Sequence, residues 1–156
     1  MKDPGYEIRK AYYNLLNGNL SLNGVNIPVY DRIPPDEKGH YVVIAEQTAT
    51  DESSKGCYSL DTTILFDVVT RYKKGGGKKD ADMISNQIME AVIVRYYFPV
   101  LEGFKIYAVR LDNSNYLETL EPSNYTVRKL IRVRIYVQQI TISVGGFTYT
   151  LPFTLA

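Results

Sequence analysis

Four groups of residues in this 156-residue chain are of types that could do chemistry. The first is the run Lys73-Lys74-Gly75-Gly76-Gly77-Lys78-Lys79. A phosphate-cradling loop sets glycines between a strand and a helix, and this run has that setting. It lacks the Gly-x-x-x-x-Gly-Lys-Ser/Thr spacing, because Asp80 stands where the hydroxyl should follow. A solvated, flexible loop that touches DNA or a partner fits the run better. The second group is Cys57 with His40, the single cysteine and the single histidine. A catalytic thiol needs a base beside it, and nothing in the spacing brings these two together. Without carboxylate help they also fall short of a zinc site.

The third group is Arg128, Arg132 and Arg134, which alternate along one strand pattern. They could touch phosphate or line a positive channel. The simpler reading is cross-strand pairing with Asp61 and Asp67, worth ~0.2–1 kcal/mol per pair. The fourth is the carboxylate pairs Asp36-Glu37 and Asp51-Glu52, which fall in polar loops where acids are ordinarily solvated. One histidine at a strand edge cannot supply a Ser–His–Asp set. No catalytic residue, cofactor site or metal site follows from these groups, and the chain reads as a non-enzyme.

The elements that must position these residues are legible as periodicity. Ile8, Ala11, Tyr12, Leu15 and Leu16 form one apolar helical stripe, with Asp3 as cap, Pro4 in the first turn and Asn17-Gly18-Asn19 as its end. Residues 20–27 form a turn-rich connection containing Asn23-Gly24. Residues 28–31 form a short extended piece that Pro34 and Pro35 keep out of a central strand. Tyr41 to about Thr50 reads as a strand, and residues 51–56 as a polar loop. On the strand Leu60 to Tyr72, Leu60, Ile64, Phe66 and Val68 oppose Asp61, Thr63, Asp67 and Arg71.

A second helix is predicted from about Asp80 to Tyr96, with Ala81, Ile84, Ile88, Ala91, Val92 and Arg95 on its stripe and Pro99 limiting its end. Phe104 to Asp112 reads as a third strand, followed by a turn or loop at residues 112–115. Tyr125 to Gln139 is the longest strand, with Val127, Ile131, Val133, Ile135 and Val137 on one side. The tail from Ile140 holds two extended pieces, 141–144 and 147–151, about the hairpin signal Gly145-Gly146. The expected fold class is α+β. It is a mostly antiparallel sheet with two helices packed on one face over residues 1–139, plus a C-terminal β-hairpin arm over 140–156.

Composition narrows the function classes. Lys plus Arg is 18 and Asp plus Glu is 17, a net charge of +1. Such balance argues against a sequence-independent nucleic-acid binder, which needs excess positive charge to displace counterions. Length suits one domain, and an apolar fraction of 45% is ordinary for a globular protein. One cysteine forms no internal disulfide. The polar start and the absence of an apolar run of ~18 residues predict neither a targeting signal nor a membrane span. The expected place is a cytoplasm, or something assembled there. Fourteen tyrosines and no tryptophan are unusual. Tyrosine joins an apolar ring to a polar tip and suits half-buried surfaces and interfaces.

An ordered set of segments resembles the bacteriophage tail-completion or tail-terminator family, which joins heads to tails. Residues 3–11 with Tyr13, Leu15 and Leu16 resemble that family's first helix. Val29-Tyr30-Asp31-Arg32-Ile33-Pro34 resembles its Val-Tyr-Asp segment. Tyr41-Val42-Val43-Ile44 with Glu46-Gln47-Thr48-Ala49-Thr50-Asp51 resembles its next strand and loop, and Ser53-Ser54-Lys55 precedes a strand ending Asp67-Val68-Val69-Thr70. The resemblance spans roughly residues 3–139. His40 stands where that family often has proline, and the arm from Ile140 extends past its usual end.

The resemblance implies a structural virion protein without enzyme activity or cofactor. It would be a subunit of a homo-oligomeric ring at the phage head–tail junction, in the tail or neck, assembled in the bacterial host cytoplasm. Its partners would be further copies of itself, head-side connector or portal proteins, and tail proteins. Genomic DNA would pass through without sequence-specific binding, and no membrane is involved. The candidate assembly residues are Tyr30, Arg32, Asp51, Ser54, Lys55, Lys73, Lys74, Lys78, Lys79, Ile142, Phe147 and Tyr149. Another neck or tail component, such as a head-closure or tail-tube subunit, is the alternative. A small cellular binding module or hydrolase stands behind that.

Overall fold

The computed structural model describes residues 1–121 and 124–150, with the backbone alone at 120, 121 and 142–144. Its centre is a five-stranded sheet in the order β3-β4-β5-β7-β6. These strands are β3 (Val29–Tyr30), β4 (Tyr41–Asp51), β5 (Ser59–Tyr72), β6 (Phe104–Glu121) and β7 (Asn124–Gln139). All neighbours are antiparallel except β3 and β4. Helices α1 (Gly5–Leu16) and α2 (Lys79–Val92) pack on one face, so the α+β architecture is as expected. A two-residue pairing of β1 (Ser21–Leu22) with β2 (Val25–Asn26) follows α1, turning at Asn23-Gly24.

Two-residue alternation sorts the sheet. On β5, Leu60, Ile64, Phe66 and Val68 are buried, and on β7 so are Val127, Ile131, Val133, Ile135 and Val137. These rows meet Ile8, Tyr12 and Leu16 of α1 and Ala81, Ile84, Ile88 and Val92 of α2. Tyr12 meets Phe66 edge to face at 6.2 Å, a favourable aromatic geometry. Burial pushes the Tyr12 hydroxyl well above its ordinary pKa, because ionising it there would strand a charge.

Three predicted boundaries move. Pro4 is the cap of α1 rather than its first turn, and the Asp3 carboxylate instead accepts the Gly5 N–H at 2.8 Å. Helix α2 stops at Val92, not Tyr96, so Arg95 is off its stripe and exposed. Beyond Val92 the chain turns to bring Phe98 and Leu101 against the core, which extending the helix would prevent.

Strand β6 runs through residues 112–115, where a loop was expected. It pairs with β7 from Phe104 to Glu121, and register shifts between Ile106/Ala108 and Leu111/Asn113 absorb the irregular residues. Cross-strand pairing overrides the turn propensity of Asp112-Asn113-Ser114-Asn115.

Beyond β7, β8 (Thr141–Val144) and β9 (Phe147–Thr150) form the predicted hairpin. Gly145 and Gly146 both take positive φ, 59° and 84°, as its two-residue turn requires. Among the described strands these two pair only with each other. Residue 151 of the expected second piece lies outside the described residues.

Candidate functional site: assembly surfaces

The sheet face without helices settles the arginine question. Arg128 donates to both oxygens of Asp67, with Nε at 3.2 and 3.1 Å. Arg134 holds Asp61 at 2.7 Å and Asp112 at 2.8 Å. Arg132 reaches Glu46 at 2.8 Å. The hydrogen bond to Asp67 raises the Arg128 pKa further, and that to Asp112 raises Arg134. Cross-strand pairing with Asp61 and Asp67 is therefore observed, and each arginine of the row is neutralised. Tyr30, Tyr41, Val43 and Val69 form a small apolar cluster on the same face.

The thiol and the imidazole are far apart. His40 Nδ1 accepts the Arg71 N–H at 3.1 Å, at the end of β5. Cys57 lies beside Ser54 and Ser59, at the start of β5, with its sulfur 3.0 Å from the Ser54 hydroxyl. The intervening strand spans roughly 40 Å. The Ser54 hydrogen bond lowers the Cys57 pKa, but no base reaches it from His40. Among the described residues no group of three or more His, Cys, Asp or Glu could hold a metal ion.

The expected assembly residues fall in three places. Tyr30 and Arg32 lie at the β3 edge, where the Tyr30 hydroxyl donates to Glu37 at 2.5 Å. That bond raises the tyrosine pKa and lowers that of Glu37. Lys73, Lys74, Lys78 and Lys79 lie at the end of the sheet where β4 begins and β5 ends. Asp51, Ser54, Lys55, Phe147 and Tyr149 lie at or beyond the opposite end, where β7 finishes. Ile142 belongs to β8, but its side chain is outside the described residues. Phe147 and Tyr149 are 70% and 54% exposed.

A surface missed in the sequence joins this second end. Tyr96, Tyr97 and Val100 are 74%, 98% and 94% exposed. Tyr97 and Val100 border a groove of Phe98, Leu101, Phe104, Ile106 and Ile140. Tyr97 holds φ 64°, an uncommon conformation for a tyrosine. The signal was Tyr96-Tyr97 preceding Pro99, but predicting helix there hid it.

The lysine loop is tied at its second half. Gly76 lies on the Tyr72 ring so closely that a Cβ would sit 2.2 Å from it. That ring is flanked by His40 at 5.4 Å and Tyr125 at 6.3 Å, and its hydroxyl donates to Asp80 at 2.7 Å. Burial and that bond push the Tyr72 pKa up to about 12. Lys78 pairs with Glu118 at 2.9 Å and lies over the Tyr116 ring. Asp82 takes bonds from Lys129 and Tyr116, which lower its pKa. Gly76→Ala is therefore expected to cost ~1–3 kcal/mol, the ordinary toll of forcing atoms into a packed site. Urea melts check it: Gly75→Ala and Gly76→Ala should part, because no atom lies within 4 Å of a Cβ at Gly75, where only the positive φ of 40° opposes alanine.

Among the described residues no helix is long and apolar enough to cross a membrane. Comparison with protein-family profiles finds no match, and comparison with characterised protein sequences finds none. Among solved structures, one similar chain is described as "Virion of native gene transfer agent (GTA) particle". It superposes with a TM-score of 0.69 at 18% identity, covering 87% of this chain and 99% of that chain. The chain thus shares its fold with a chain of the gene transfer agent virion.

Proposed function

We propose that this protein is a structural subunit of a phage-like particle, forming a homo-oligomeric ring at the head–tail junction that completes the tail. The observation that carries the reading is the fold shared with a virion chain over 99% of that chain's length. The ordered segments that resemble tail-completion proteins support the finer placement.

The sheet offers the contacts a ring needs. Its two edges differ: β3 covers only Val42 and Val43 of β4, while β6 forms the whole opposite edge. A ring closes through heterologous contacts, one patch against a different patch on the neighbour. Strand addition between unlike edges supplies such a contact. The two ends of the strands would then face the two axial neighbours. The end bearing Tyr96, Tyr97, Val100, Phe147 and Tyr149 suits an apolar protein interface.

Electron microscopy of the purified chain, alone and mixed with tail proteins from the same particle, tests this. Closed rings are expected. A chain that stays monomeric in both settings overturns the reading, and stacking into long tubes would favour a tail-tube subunit instead.

A further inference from the structure

Cations and acids are distributed unevenly over this molecule. Arg9 pairs with Asp31, Arg128 with Asp67, Lys129 with Asp82, Arg132 with Glu46, and Arg134 with Asp61 and Asp112. Four of the cations outside these pairs gather at one end. Pairing of Tyr41 with Val69 sets the start of β4 beside the end of β5. The Arg71 guanidinium donates to the Glu37 carbonyl, which holds the loop bearing Lys38 against the end of β5. The Tyr72 bond to Asp80 holds the first turn of α2, and with it Lys79, at the same end. Lys73 and Lys74 continue directly from β5.

Lys38, Lys73, Lys74 and Lys79 are thus brought together from three segments, and all are exposed. Among the described residues none has an acid within ion-pair distance. Among the described side chains of the loops at this end, Asp36 is the exposed acid that could offset them. Asp80 and Glu37 already accept from tyrosines, and Glu118 from Lys78. The α2 terminus itself is not the feature, since its own acids Asp80 and Asp82 occupy it.

We propose that this end is a sequence-independent docking surface for the phosphate backbone of duplex DNA. The residue types favour phosphate over an acidic protein. At this end the unpaired cations are lysines, point charges on flexible stems, whereas the β7 arginines, whose forks match carboxylates, are held by acids on the sheet. The exposed aromatic surface that a protein interface would need lies at the opposite end. A net charge of +1 keeps such binding weak and strongly salt-dependent, which lets DNA move past. The surface belongs to one subunit, so it stands or falls apart from ring formation.

The test is fluorescence anisotropy of a labelled 30-base-pair duplex with the full-length chain between 50 and 300 mM salt, with light scattering run in parallel. With three to four phosphate contacts, log K against log salt should fall with a slope of about −3. Lys73→Gln/Lys74→Gln/Lys79→Gln should weaken binding about tenfold or more at 50 mM salt and flatten the slope. The charge-matched control Lys2→Gln/Lys10→Gln/Arg95→Gln should bind within about threefold of the parent. These substitutions are all at exposed side chains, and thermal melts confirm folding. Undetectable duplex binding at 50 mM salt overturns the proposal, and so does equal weakening by both triple variants. Polyglutamate binding as tight as duplex binding would also overturn it, in favour of an acidic protein partner. Unchanged light scattering alongside lost DNA binding would separate this surface from assembly.

Discussion

Arg128→Ala is expected to lower the free energy of unfolding by about 3–5 kcal/mol, a large share of the ~5–15 kcal/mol typical of a whole domain. The reason lies in its partner. The Asp67 side chain is only 4% exposed, and the guanidinium holds both of its oxygens. In register Asp67 lies between Val43 on β4 and Leu130 on β7, which offer no replacement donor from their side chains. Truncating the arginine leaves a charge buried without its counterion.

Arg132 occupies the same face of the same strand, but its partner Glu46 is 59% exposed. Arg132→Ala should therefore cost at most ~1 kcal/mol. Replacing both members, Asp67→Leu with Arg128→Met, should recover most of the loss, because the buried carboxylate left without its counterion goes too. Urea denaturation of the four proteins decides the matter. Equal costs for Arg128→Ala and Arg132→Ala would show that burial of the partner does not govern these pairs.

Removal of residues 142–156 is expected to leave the melting temperature within a few degrees of the parent and to abolish assembly. Strands β8 and β9 pair only with each other among the described strands, and Phe147 and Tyr149 face solvent. All four side chains of β9 are exposed, so the domain's buried surface does not depend on that strand. An isolated two-stranded hairpin is at best marginally stable in water, so these side chains gain a purpose only when something covers them.

The cut belongs after Thr141 rather than before Ile140. The Ile140 N–H donates to the Gly103 carbonyl at 2.9 Å, and its side chain lines the groove with Phe104 and Ile106. Thr141 lies close enough to Gly103 that a Cβ there would sit 2.7 Å from its hydroxyl. Removing 140–156 should thus cost measurable stability as well as assembly. Melting curves with light scattering read both quantities. A truncated chain that fails to fold would make the arm part of the core, and one that assembles normally would remove it from the interface.

What could be read along the chain alone was whatever repeats within a few residues. The stripe Ile8, Tyr12, Leu16 and the stripe Ala81, Ile84, Ile88 mark helices, because 3.6-residue periodicity is local. The alternation on β7 named its buried face side chain by side chain, because strand periodicity is two, whereas β5 is buried on its other face too, at Thr63, Asp67 and Val69. Gly145-Gly146 marked its hairpin because the turn itself demands positive φ at both residues. Acids spaced along β5 and arginines along β7 already suggested which charges would meet.

Only the tertiary structure decided the rest. Residues 112–115 carry turn propensity, and the register of β6 on β7 made them strand. Arg134 found Asp112 as well as Asp61, because β6 and β5 flank β7 on either side. Cys57 and His40 lie seventeen positions apart in sequence, yet antiparallel pairing of β4 with β5 sends them to opposite ends of a long strand. The same pairing gathers Lys38 with Lys73, Lys74 and Lys79. Contacts between distant segments depend on register and chain reversal, which no local pattern encodes. Fold class was therefore determined by the sequence itself, whereas the surfaces came into being only when the strands aligned.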